Sequence, residues 1–178
     1  DDVPAYEESD IMLALRFLAD YATQLGRPLV IIFGLGSANG SRTGASPLGE
    51  VMESFTKRPN ISVVTCMGNE ANNKGHYQGT VTSALYPDVM EINVSDKGKG
   101  FVMEIWAESL DILSVSIESP SGEYVPRIPA RMGTSVEYTF LYEGSTVTVD
   151  YQITEKVAGM EVIFIRLITP VEGTWKFS

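Results

Sequence analysis

The sequence is poor in the residues on which much protein chemistry depends. Its 178 residues include one cysteine, Cys66, and one histidine, His76. A lone cysteine excludes an internal disulfide framework. With a single histidine beside it, a zinc site of the usual Cys/His kind is excluded too. Positive charge is scarce: 13 Lys and Arg stand against 23 Asp and Glu, a net charge of −10. Phosphate backbones and anionic membrane surfaces reward basic patches, so neither nucleic acid nor such a membrane is an expected partner. No apolar run nears the roughly 18 residues of a spanning helix, so no membrane insertion is expected. The first residues hold neither a basic region nor a signal-like stretch. No Gly-Lys-Ser/Thr occurs, which excludes a phosphate-cradling P-loop. No cofactor is expected.

What is present suffices for a folded core. The apolar fraction of 44% is ordinary for a globular chain. The length allows one medium domain or two small ones. The chain opens on Asp1-Asp2 and closes on Lys176-Phe177-Ser178, which reads as mid-strand. A piece of a longer protein is therefore expected.

Two rhythms divide the chain. The first 70 residues read helix, strand, helix, strand. Ser9 is a candidate N-cap, Ile11, Leu15, Leu18 and Leu25 repeat at helical spacing, and Gly26 with Pro28 ends the pattern. Pro28 to Leu35 is nearly all apolar, as in a strand covered on both faces. Ser46-Pro47 reads as N-cap and first-turn proline, with Leu48, Val51, Met52 and Phe55 on one face. Ile61 to Met67 is a second buried strand. Such alternation implies parallel, neighbouring strands. From about residue 80 the period is two, as in Met90-Ile92-Val94, Leu113-Val115-Ile117, Val136-Tyr138-Phe140 and Val147-Val149-Tyr151. Turn signals at Lys97-Gly98-Lys99-Gly100, Ser119-Pro120-Ser121-Gly122, Glu143-Gly144-Ser145 and Pro170-Val171-Glu172-Gly173 separate these runs. The fold class is thus α/β plus β. Residues 1–79 form a partial parallel sheet with helices, and residues 80–178 an antiparallel β-sandwich or jelly roll of seven or eight strands.

Ligands of open α/β sheets sit beyond the carboxyl ends of strands. Here the two strands end in Gly34-Leu35-Gly36-Ser37-Ala38-Asn39-Gly40 and in Gly68-Asn69-Glu70. Glycines let another backbone approach closely, and an asparagine can aim an N–H₂ donor outward. A cleft that binds a peptide and polarises its carbonyl is one reading. A tight turn, with Asn69 in an Asx-turn, is the other. The first loop is no dinucleotide fingerprint, because its glycines run G-x-G-x-x-x-G and no helix opens within them. Gly133-Thr134-Ser135 invites a nucleophile reading, but Val136 to Phe140 then alternates as a strand. His76 reads as a loop residue or a contact at the cleft rim. Trp106 and Trp175 read as sandwich core, or as sugar-stacking platforms if exposed.

Gly34-Leu35-Gly36 after an apolar strand, and Val63-Val64-Thr65-Cys66-Met67-Gly68-Asn69-Glu70 after a helix, resemble segments of the subtilisin-like serine peptidases (subtilases, family S8). Tyr6 to Pro28, Pro47-Leu48, the later His76-Tyr77, and Ser119-Pro120-Ser121-Gly122 followed by Pro126-Arg127-Ile128-Pro129 extend the likeness over nearly the whole chain. The resemblance is to a bacterial subgroup, found in clostridia and relatives, with a jelly-roll insertion between the oxyanion asparagine and the catalytic serine. It implies a catalytic role for Asn69, whose side-chain amide would line the oxyanion hole. Gly34, Leu35 and Gly36 would pair with substrate backbone as an added strand. Thr65, Cys66, Met67 and Gly68 would help wall the pocket for the side chain before the scissile bond. The implied partners are a peptide or protein substrate and the remainder of the parent peptidase domain. The implied compartment is bacterial, either secreted or cell-surface, or spore- or cytoplasm-associated.

The departures from that pattern carry equal weight. The family triad is Asp, His, Ser, with the first two before the oxyanion asparagine. No histidine precedes Asn69, and Ser135 lacks the Met-Ala-x-Pro continuation of the serine motif. The resemblance therefore implies a fragment of a serine endopeptidase that works through an acyl-enzyme, itself inactive for want of the triad. The alternatives are a pseudoprotease or regulatory protein, or a binding module whose sandwich takes protein or carbohydrate.

Overall fold

The structure is a computed structural model. It describes residues 6–37, 39–40, 44–69, 72–83, 85–95, 100–107, 111–131, 133–154 and 160–178. Ala38, Glu70 and the turn at 97–99 lie outside the described residues. The chain divides into two compact units, Asp1–Asn73 and Lys74–Ser178.

The first unit is built from α1 (Glu8–Gln24), β1 (Leu29–Phe33), α2 (Pro47–Thr56) and β2 (Ile61–Thr65). Helix α1 begins before Ser9. Glu7 is its N-cap without a side-chain bond, and Glu8 and Asp10 lie in the first turn. Acidic residues there complement the helix dipole, which offsets the missing cap. The helix ends in a Schellman motif: Gly26 takes φ 63°, its N–H donates to Thr23 O, and Arg27 N–H donates to Ala22 O. In α2 the Ser46 hydroxyl accepts from Gly49 N–H at 3.1 Å, with Pro47 at the first helical position. Gly49 has to be glycine, because a Cβ there would meet Gly44 O at 2.0 Å.

Strands β1 and β2 pair parallel, from Leu29↔Ile61 to Phe33↔Thr65. Leu15 and Ala19 of α1, Phe55 of α2 and Ile31 of β1 form the buried cluster, with Leu48, Val51, Ile61 and Val63 packed on it. One face of the strand pair is thereby filled. The other is bare: Val30 is 64% exposed, Ile32 80% and Val64 51%. This differs from the two-sided cover expected of the run from Pro28 to Leu35. Apolarity states what a strand can bury; here both helices pack on the same side.

Among the described residues the elements of the second unit are all strands: β3 (Met90–Val94), β4 (Gly100–Ala107), β5 (Val115–Glu118), β6 (Tyr124–Ile128), β7 (Ser135–Thr139), β8 (Thr146–Thr154), β9 (Met160–Ile168) and β10 (Gly173–Phe177). They form two four-stranded antiparallel sheets, ordered β3-β10-β5-β6 and β4-β9-β8-β7. The long-range pairs β3–β10 and β4–β9 nest as in a rolled sandwich, whereas β5–β6, β7–β8 and β8–β9 are sequence neighbours. Val115, Ile117, Val125 and Ile128 of one sheet face Val147, Val149, Ile163, Ile165 and Leu167 of the other. Trp175 is fully buried among them, edge-on to Phe140 at 5.0 Å, and its indole N–H donates to Val171 O. Tyr151 ties the sheets together: its hydroxyl donates to Ile128 O at 2.7 Å and accepts from Val115 N–H at 3.3 Å. Burial pushes the Tyr151 phenol above its ordinary value. Ser178 closes the last strand by exchanging backbone bonds with Ser116.

Candidate functional site

The parallel pairing brings the two polar strand ends together. Phe33 stands opposite Thr65, and Cys66 N–H donates to Phe33 O at 3.3 Å, so the ladder runs to the edge of the glycine-rich segments. Gly34-Leu35-Gly36 and Cys66-Met67-Gly68-Asn69 therefore leave the sheet side by side. All seven of these residues are exposed, as is Thr65, and Met67 fully so. The chain bends sharply at Gly68, whose φ of 79° favours glycine. That bend lies between the pocket-wall residues and Asn69. Asn69 is exposed rather than folded into the core. The N–H that an Asx-turn would use belongs to residue 71, outside the described residues.

Gly34 and Gly36 differ from Gly68. Neither takes a positive φ, and a Cβ built on either meets nothing within 4 Å. Among the described residues neither backbone strain nor packing calls for glycine there. β1 ends at Phe33 and β2 at Thr65, so Gly34, Gly36, Cys66 and Gly68 lie beyond the paired strands.

The remaining sequence candidates fall elsewhere. Ser135 opens β7 as an exposed strand residue, His76 is an exposed loop residue, and Trp175 belongs to the core. Trp106 is half-buried, its indole N–H donating to Glu104 at 3.0 Å. Among the described residues no group of three or more His, Cys, Asp or Glu could hold a metal. Among them, too, no helix is long and apolar enough to cross a membrane. Sequence reasoning missed the hollow beside Arg131 and Ser135, which involves two segments with no motif between them.

Among the described residues the parallel sheet has two strands, packed on two helices, and the larger parallel sheet of a subtilisin-like core is not shown. Comparison with solved structures gives a protease: the Clostridium perfringens CspB protease, with a TM-score of 0.85 and 23% identity, over 99% of this chain and 38% of that one. The chain thus has the fold of part of a protease and spans well under half the length of the structure it matches. Comparison with protein-family models and with curated proteins gives no match.

Proposed function

We propose that this chain is the central part of a subtilisin-like serine endopeptidase: a portion of the α/β core with a sandwich inserted after the oxyanion asparagine. The observation that carries this reading is the adjacency of the two strand tips, continued by the bond from Cys66 N–H to Phe33 O. A substrate strand lying along Gly34-Leu35-Gly36 would present its carbonyl towards the neighbouring tip, where Asn69 is exposed. The Asn69 amide would donate to the oxygen as it turns negative. Such a donor matters in the transition state more than in the bound substrate. Its loss costs about 2.7–4 kcal/mol, a figure that belongs to subtilisin and not to this chain. Cys66 and Met67, bulkier than alanine or glycine, would narrow the pocket for the side chain before the scissile bond. The bare face of Val30, Ile32 and Val64 supports a larger parent domain that covers it.

The test has two arms. The 178-residue chain should not react with a serine-directed fluorophosphonate, and labelling at Ser135 would overturn the fragment reading. In the full-length protein, Asn69→Ala should lower kcat about 10²–10³-fold with little change in KM. Unchanged kcat would remove Asn69 from the reaction. A full-length protein that the probe leaves unlabelled and that lacks the Asp and His motifs would be a pseudoprotease instead.

A further inference from the structure

Among the described residues the second unit has an unpaired sheet edge beside a hollow. Among the described residues strand β7 is the last in its sheet and pairs only with β8, from Ser135↔Asp150 to Thr139↔Thr146. Phe140 N–H donates to Ser145 O, and Tyr151 N–H donates to Thr134 O. Bonded residues alternate along an antiparallel ladder, so Thr134, Val136, Tyr138 and Phe140 direct their backbone groups to β8. Ser135, Glu137 and Thr139 direct theirs to the open side. Sheet edges are usually blunted by short strands, charged side chains (lysine above all), proline or a bulge, and of these β7 has Glu137 and its five-residue length. Strand β6, the edge of the facing sheet, carries Pro126. Strand β7 reads Ser-Val-Glu-Tyr-Thr, with no proline or lysine and an unbroken register.

Against this edge lies a hollow of about 340 Å³, lined by Ile128, Pro129, Arg131, Thr134, Ser135 and Val136. Ile128, Pro129 and Val136 give its lining an apolar part, and Val136 remains 38% exposed. Arg131 and Ser135 are the polar residues of its lining left beside Thr134, whose hydroxyl already donates to Arg131 O. Among the described residues Arg131 has no ion-pair partner.

We infer that the β7 edge and this hollow form a strand-addition site for an extended peptide bearing an apolar side chain and a nearby carboxylate. Three outward residues offer six backbone groups at the two-residue spacing of an added strand. A side chain on the inner face of that strand enters the space over Ile128, Pro129 and Val136. The carboxylate meets Arg131. Glu137, exposed further along β7, repels an acid placed at the other end and so fixes the direction in which the peptide lies. The site lies wholly within the second unit and does not depend on the peptidase reading.

The probe is a blocked hexapeptide, acetyl-Thr-Val-Thr-Leu-Thr-Asp-amide, titrated into the isotope-labelled 178-residue chain and followed by amide NMR. Controls are the same peptide with lysine for aspartate, and a version N-methylated at alternate amides. Saturable shifts at Ser135, Glu137 and Thr139 are expected with the first peptide only. Arg131→Glu should weaken that peptide about tenfold and favour the lysine version. Glu137→Pro removes an outward N–H while leaving the bonds to β8, and should abolish binding with an unchanged Tm. If this variant does not fold, the N-methylated peptide decides the same point. No saturable shift with any peptide, equal binding of the acidic and basic versions, or binding that survives N-methylation would overturn the proposal. So would a concentration-dependent dimer that Glu137→Pro abolishes, which would give the edge to a second copy of the chain.

Discussion

Glu123 and Glu143 hold each other's turns. Glu123, after the β5–β6 turn, accepts from the backbone N–H of Leu141 at 3.1 Å and of Tyr142 at 3.3 Å. Glu143, in the β7–β8 turn, accepts from Ser121 N–H at 2.9 Å. One turn belongs to each sheet, so the pair fastens the two sheets at one end of the sandwich. Ionised acceptors make the stronger hydrogen bonds.

Glu123→Ala should therefore destabilise the chain by about 1–2 kcal/mol, because water can reach the exposed amides it leaves. The Tm should fall by about 4–8 °C per kcal/mol for a unit of this size. Loss of Glu123 frees the turn that carries Glu143, so the double alanine variant should cost less than the sum of the singles by about 0.5 kcal/mol or more. Thermal denaturation of the four proteins measures this. Strict additivity would show that the two carboxylates act independently.

Trp175 sets the core of the same unit. It is fully buried, edge-on to Phe140, and its N–H is satisfied by Val171 O. Trp175→Ala should cost about 3–5 kcal/mol. Trp106→Ala, at a half-buried position, should cost clearly less. Denaturant titration with equal m-values would make the comparison, and equal losses would argue against the assignment of Trp175 as the central residue.

Glu161 gives the stability a pH dependence. It is 3% exposed, one carboxylate oxygen accepts from Leu113 N–H at 2.6 Å, and the other has no partner among the described residues. Burial raises its pKa above the ordinary 4.5, and the Leu113 bond opposes this only in part. Well below pH 4.5 folded and unfolded chains both hold the proton, and the group is neutral with respect to folding. As pH climbs through the raised folded value, the unfolded chain has already released its proton and the folded chain resists doing so. Stability falls across that window and then levels. Glu161→Gln should remove this decline, so the two Tm profiles should diverge as pH rises from about 4 towards neutrality. Parallel profiles would show that the carboxyl titrates alike in both states.

The sequence was legible where the determinant was local. Ser46-Pro47 marked the start of α2, and Gly26 the end of α1, because caps depend on a few neighbouring residues. Alternation over Val147, Val149 and Tyr151 marked a strand with one buried face. The adjacency of Gly34 and Cys66 followed from two strands joined by a helix. Ser9 misled because a capping residue type stood one position inside a helix begun by acidic residues. The clasp of Glu123 and Glu143 was invisible, since its bonds join residues 18 to 22 apart through two turns on different sheets. The open edge of β7 was hidden for the same reason: strand order is not a local property.

The bare face of the first unit gives the last prediction. Ile32 and Val64 project from neighbouring strands, away from both helices, and are 80% and 51% exposed. In this chain they contribute strand propensity and little burial. The double variant Ile32→Thr, Val64→Thr keeps β-branched residues at both sites. It should change the stability of the 178-residue chain by no more than about 0.5 kcal/mol, while lowering light scattering and dye binding. In a longer parent whose further elements cover the face, the same pair should cost about 1–3 kcal/mol per residue. Denaturation of both lengths separates the cases. A large loss in the short chain would mean that the face is already covered there, and equal tolerance in the long one would mean that nothing covers it.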